Sequence, residues 1–135
     1  MSYSLYIQKQ IALYKSLQPC FCPAIQETVC FNAEGLKHLF YDKKHRPRNH
    51  DQKHYRVSLI DYITEVITTA QKAVQESYAT PPCKLWILEY VVIDTKGQKH
   101  YIKVIVRKKG NGNVHFLSVM EKRHKNGRKT KKPKL

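Results

Sequence analysis

Three apolar segments in the second half of the chain most constrain the fold. They are 84–93 (KLWILEYVVI), 99–107 (KHYIKVIVR) and 114–120 (VHFLSVM). Each is rich in β-branched and aromatic residues, and turn chemistry separates them: Asp, Lys and Gly at 94–97, then Lys109-Gly110-Asn111-Gly112. Short apolar runs punctuated this way read as hairpin-linked strands. The first half has a different period. Residues 4–17 place Leu5, Ile11, Leu13 and Leu17 at approximately helical spacing. The Gln18–Pro23 segment stops that helix, because proline cannot continue one. Residues 25–31 (IQETVCF) read as a short strand at a sheet edge. Asn32 is a good N-cap for a helix over 33–41, with Leu36, Leu39 and Phe40 as its apolar stripe and Glu34 suiting the dipole of its first turn. Residues 42–56 read as a loop. A long helix is expected over 57–77, with Leu59, Ile63, Val66, Ile67, Ala70 and Val74 as its stripe. The expected fold is α+β: two to three helices packed on a small, mainly antiparallel sheet of about four strands, forming one domain over residues 1–120.

Charge sets the function class. The 135 residues carry 25 Lys+Arg against 10 Asp+Glu, a net charge of +15. Such a field attracts polyanions. Fourteen of the 25 basic residues fall in two segments, six in 42–56 and eight in 121–135, so the field is directed. The tail 121–135 has almost no apolar residues and is expected to be disordered. No apolar run approaches the length of a spanning helix, and MSYSLYIQKQ lacks the design of a secretory signal. A cytoplasmic protein without membrane partners is expected. Cys20, Cys22, Cys30 and Cys83 read as free thiols. The Cys20-Phe21-Cys22 pair has no second ligand pair to complete a zinc site, so no metal or cofactor is expected.

Hairpin register sorts the sheet faces. A tight turn centred on Lys96 sets Glu89 opposite Lys103. A four-residue turn at 109–112 sets Lys103 opposite Ser118. One face then collects Trp86, Leu88, Tyr90, Val92, Ile102, Val104, Val106, Leu117 and Val119 as a core face. The other gathers Glu89, Lys103, Arg107, Phe116 and Ser118 among apolar residues, a surface suited to stacked, unpaired bases.

The order of motifs resembles a known group. Asn32-Ala33-Glu34-Gly35-Leu36-Lys37-His38-Leu39 is followed by a loop with Arg46 and Arg48, a long helix, and strands containing Ile102–Lys108 and His115-Phe116-Leu117-Ser118-Val119. This resembles the phage- and mobile-element-associated branch of the barnase–EndoU–colicin–RelE-like nucleases, over roughly residues 25–120. The resemblance implies an endoribonuclease that needs no metal, in which the ribose 2′-hydroxyl attacks its own phosphate. It implies His38 as general acid or base, and Arg46 or Arg48 as the phosphate clamp. Arg107 and Lys103 would stabilise transition-state charge, with Ser118 donating to a phosphate oxygen. Glu89 is a competing base, and His45, His50 and His54 are alternative proton carriers. The nucleic-acid-binding set is Lys43, Lys44, Arg48 and Arg56 from the loop, with Lys103 and Lys108 from the sheet. Two other readings share the same charge: a non-catalytic module binding RNA or other single-stranded nucleic acid, and a basic interaction protein neutralised by an acidic inhibitor.

Overall fold

The computed structural model describes residues 3–42, 44–78 and 83–122. The elements in chain order are helix α1 (Tyr3–Ser16), strands β1 (Cys20–Cys22) and β2 (Glu27–Cys30), helix α2 (Ala33–Phe40) and helix α3 (His50–Ser58). A 3-10 turn (Leu59–Tyr62) leads into helix α4 (Ile63–Thr69). Strands β3 (Ala73–Tyr78), β4 (Cys83–Ile93), β5 (Lys99–Lys109) and β6 (Val114–Glu121) follow. The class is α+β as expected, with three helical stretches if α3, the turn and α4 count as one bent run.

Among the described residues the sheet has six strands, not four, in the order β1-β2-β6-β5-β4-β3. It is antiparallel except where β2 runs parallel to β6, pairing Val29 with Val114 and Cys30 with His115. The two additional strands arise from segments assigned otherwise by periodicity. Cys20–Cys22, expected as a helix stop, folds back on Glu27–Cys30 as a short hairpin. Residues 73–78, expected as the end of the long helix, pair along β4 instead. The helical stripe holds from Leu59 to Ala70, all 2% exposed or less, and fails at Val74, which is 62% exposed. Pairing explains the switch: β3 satisfies backbone groups that β4 would otherwise present as an open edge.

The 42–56 loop is also shorter than expected, because α3 starts at His50. Asn49 caps it: the side chain accepts from Gln52 N at 2.8 Å, and Gln52 Oε1 accepts from Asn49 N at 3.2 Å. This reciprocal capping box satisfies two first-turn donors and outweighs the strongly polar composition of the segment.

On α1 the buried residues are Gln10 and Tyr14, while Leu5 stands 58% exposed. Gln10 is buried because its amide donates to Val57 O at 2.8 Å and to Asp61 Oδ1 at 3.2 Å, tying α1 to the α3–α4 run.

The expected register of β4 and β5 holds, with Glu89 opposite Lys103. That of β5 and β6 differs. Lys103 faces Met120, and Ser118 faces Ile105. Lys108 pairs with Val114, so the loop spans 109–113, one residue longer than expected. The extra residue reverses side-chain parity, placing Phe116 opposite Val106 in the core at 1% exposure. A bulge between Phe116 and Ser118 then leaves Leu117 unpaired and reverses parity again. Phe116 and Leu117 thus exchange the expected faces, while Ser118 and Val119 keep theirs. The core forms between the helices and Trp86, Leu88, Val92, Ile102, Val104, Val106, Phe116 and Val119 of the sheet.

Candidate active site and nucleic-acid interface

The N-terminus of α2 is fixed by Asn32, whose side-chain oxygen accepts from Gly35 N at 3.1 Å. The buried Tyr14 hydroxyl donates to Asn32 O at 2.7 Å. Burial holds the Tyr14 phenol well above its usual range, so it stays a donor. Glu34 and His38 then lie one turn apart on one helix face. Glu34 Oε1 accepts from Arg107 Nη2 at 2.8 Å, and Glu34 Oε2 lies 3.8 Å from His38 Nε2. The second distance is electrostatic contact rather than a hydrogen bond. One carboxylate therefore holds an imidazole and a guanidinium from opposite ends of the sequence.

The charges shape these groups. The hydrogen bond from Arg107 holds Glu34 below the usual carboxylate range. His38 is lowered chiefly by partial burial, with Glu34 opposing and Arg107 and Arg48 assisting. A lowered histidine is neutral at neutral pH and can accept a proton. His38 also lines a depression of about 370 Å³ with Glu34, Lys37, Tyr41, Asp42 and His45. His45 occupies the tip of the short loop with φ 62°.

Arg48 fastens this loop to α2. Its guanidinium donates to His38 O at 3.1 and 3.2 Å and its backbone N–H to Phe40 O at 2.8 Å. These carbonyls end the helix and have no intrahelical partner. Arg56, on α3, donates to Val119 O at 3.0 Å and reaches Ser118 Oγ at 3.5 Å. Arg48 lies close enough to Arg56 to act on it electrostatically. His38, Arg107, Arg48, Arg56 and Ser118 thus form a connected series, with Ser118 joined through Arg56 rather than through His38.

The other expected residues lie apart from that series. Arg46 bonds Asp42 Oδ2 at 3.1 Å within its own loop. Lys108 pairs with Glu27 of β2 at 3.1 Å. Glu89 takes Lys122 at 3.4 Å rather than the Lys103 opposite it. Lys44 is exposed on the loop, and Lys43 lies outside the described residues. His50 lies tilted against Tyr3 and His54 stacks on Tyr6, with ring centroids 3.5 and 4.7 Å apart, and both serve the α1–α3 contact.

Sequence reasoning missed Glu34 as a site residue, although its i,i+4 spacing to His38 was a usable signal. It also missed His115, which faces Arg107 across β5 and β6. His100 was missed because nothing local marks it. Its ring nitrogens contact Asp94 Oδ2 at 2.9 Å and Glu121 Oε2 at 3.0 Å, and its ring stacks on Tyr62 at 5.6 Å. Asp94, the nearer partner, holds His100 above the usual histidine range.

Fold and site define a small basic α+β unit in which a carboxylate-bridged His and Arg adjoin further arginines. Residues 9–124 match large polyvalent protein-associated domain 3, and the chain belongs to that family, a domain associated with phage and mobile-element proteins. No curated protein and no solved structure matches the chain. Among the described residues, no helix is long and apolar enough to cross a membrane.

Proposed function

We propose that the chain binds single-stranded RNA and cleaves it by attack of a ribose 2′-hydroxyl on the adjacent phosphate. The observation that carries this reading is the Glu34 carboxylate held between His38 and Arg107, 3.8 and 2.8 Å away. A neutral His38 accepts the hydroxyl proton. Arg107 and Arg48 stabilise charge on the phosphorane. His45, on the same depression, donates to the departing 5′-oxygen. Glu34 orients His38 and Arg107. The resemblance to metal-independent nucleases supports the same chemistry. Of the alternatives, a non-catalytic nucleic-acid-binding module accounts for the charge, the basic tail and the polar sheet face without catalysis, and a basic protein neutralised by an acidic inhibitor accounts for the charge.

The test is incubation with mixed RNA in excess chelator. Cleavage abolished by His38→Ala and by Arg107→Ala, with gel-shift binding retained, supports the reading. Intact RNA at every protein concentration, with binding retained, replaces it with the binding module.

A further inference from the structure

A second concavity lies at the other end of β5. It has a volume of about 730 Å³ and is lined by Tyr55 and Arg56 of α3, Lys99 and Tyr101 of β5, and Met120, Glu121 and Lys122 at the end of β6. Three cations and two phenol rings in one groove have the composition of a single-strand binding surface. Cations track the phosphates, and rings stack on bases of any sequence.

One row of β5 side chains leads from this groove towards the His38 cluster. Lys99, Tyr101, Lys103, Ile105 and Arg107 alternate with the buried Ile102, Val104 and Val106, so all five project from one face. Arg107 marks the cluster end of that row and Tyr101 the groove end, six residues or about 20 Å away along the strand. Arg56 connects the same two regions on the helix side. Glu121 is the one acidic group in the lining, and it is already engaged. Its Oε1 accepts from Tyr55 at 3.3 Å, and its Oε2 meets His100 at 3.0 Å. Tyr55 is thereby held at the wall while remaining 40% exposed.

We propose that this groove is a subsite for a single-stranded RNA segment several nucleotides from the cleaved phosphate. Tyr101 and Tyr55 stack its bases, and Arg56, Lys99 and Lys122 hold its phosphates. The proposal deepens the ribonuclease reading and rests on it for the position of the cleaved bond, but not for binding itself.

The experiment measures binding without cleavage. A fluorescent 2′-fluoro hexanucleotide lacks the attacking hydroxyl and is long enough to reach from the groove to His38. Lys99→Glu/Lys122→Glu and Tyr101→Ala are each expected to weaken hexanucleotide binding about tenfold or more. Lys9→Glu/Lys15→Glu makes the same charge change at exposed sites on α1, outside the groove lining, and controls for net charge. Hexanucleotide binding within twofold of wild type in both groove variants overturns the subsite. So does a loss matched by the control, or a duplex bound as tightly as the single strand. If no RNA is ever cleaved yet the groove variants lose hexanucleotide affinity selectively, the cleavage reading falls and the subsite stands.

Discussion

Gly35→Ala tests whether close approach of α2 to β6 builds the site. A Cβ at Gly35 would meet Tyr14 Oη at 2.5 Å, Phe116 Cδ2 at 2.6 Å and Phe116 O at 2.7 Å. None of these yields easily. The Tyr14 hydroxyl is committed to Asn32 O, the Phe116 ring is buried, and Phe116 O belongs to strand backbone. In an unconstrained helix, glycine to alanine is worth about 1 kcal/mol of stabilisation. Overpacking costs roughly 1–3 kcal/mol, and three contacts below 3.0 Å, one of them backbone, set this case at the upper end. The expected balance is a loss of about 2 kcal/mol, or a fall in Tm of about 8 °C for a domain of this size. Thermal and urea unfolding measure it. A Tm equal to or above wild type would refute the packing argument. Because α2 must move away from β6 to accept the methyl, the Glu34–Arg107 pair should loosen in the folded variant as well.

His100 and Asp94 make stability pH-dependent with a definite sign. His100 is raised in the fold, so its contribution is complete below the ordinary histidine value of about 6.5 and fades as pH rises through the raised value. Asp94 is lowered, chiefly by its bond to His100, so its contribution is complete above about 3.9 and fades as pH falls through the lowered value. His100→Ala should therefore lose most stability, by urea titration, between about pH 4 and 6.5, and approach wild type in alkali; a uniform loss across pH would contradict the ion-pair account. Glu34→Gln removes the carboxylate that holds His38 up, so the NMR-titrated pKa of His38 should fall further, and the acid limb of any cleavage profile should move to lower pH with it.

How legible these features were depended on the range of the interaction. The α2 cap at Asn32, the β4–β5 register and the Leu59–Ala70 stripe were readable because each is set by neighbours within a turn or a hairpin. The exchange of Phe116 and Leu117 was not, because one additional loop residue and one bulge reverse parity without any change in composition. The strand at 73–78 was hidden because Val74 continues a helical period by chance, and only pairing with β4 decides against it. The site shows the same division. His38 and Arg107 were named from motif resemblance, whereas their link through Glu34 spans 73 residues and depends on α2 reaching β6. The Asp94–His100–Glu121 cluster requires the turn after β4 and the end of β6 to meet beside β5, which no local signal carries.

What neutralises each cation explains why a net charge alone could not locate the polyanion site. Arg46 spends its charge on Asp42 within its own loop, and Lys108 spends its charge on Glu27. Arg48 and Arg56 are instead anchored by the carbonyls of His38 and Val119. A carbonyl fixes a guanidinium without cancelling its charge, so these two arginines are held in place and keep their positive field. Arg48 sits against the His38 cluster and Arg56 lines the Tyr101 groove, so a strand that engages both regions meets both arginines. Arg48→Gln and Arg56→Gln keep an amide donor for the carbonyl while removing the charge. Each should lower affinity for single-stranded RNA roughly three- to tenfold and flatten the dependence of log K on log salt by close to one phosphate contact. Arg46→Gln should change affinity by less than about twofold, because its charge is already matched by Asp42. Equal losses from all three substitutions would mean that RNA reads the summed charge of the surface, and not the two arginines that the backbone holds in place.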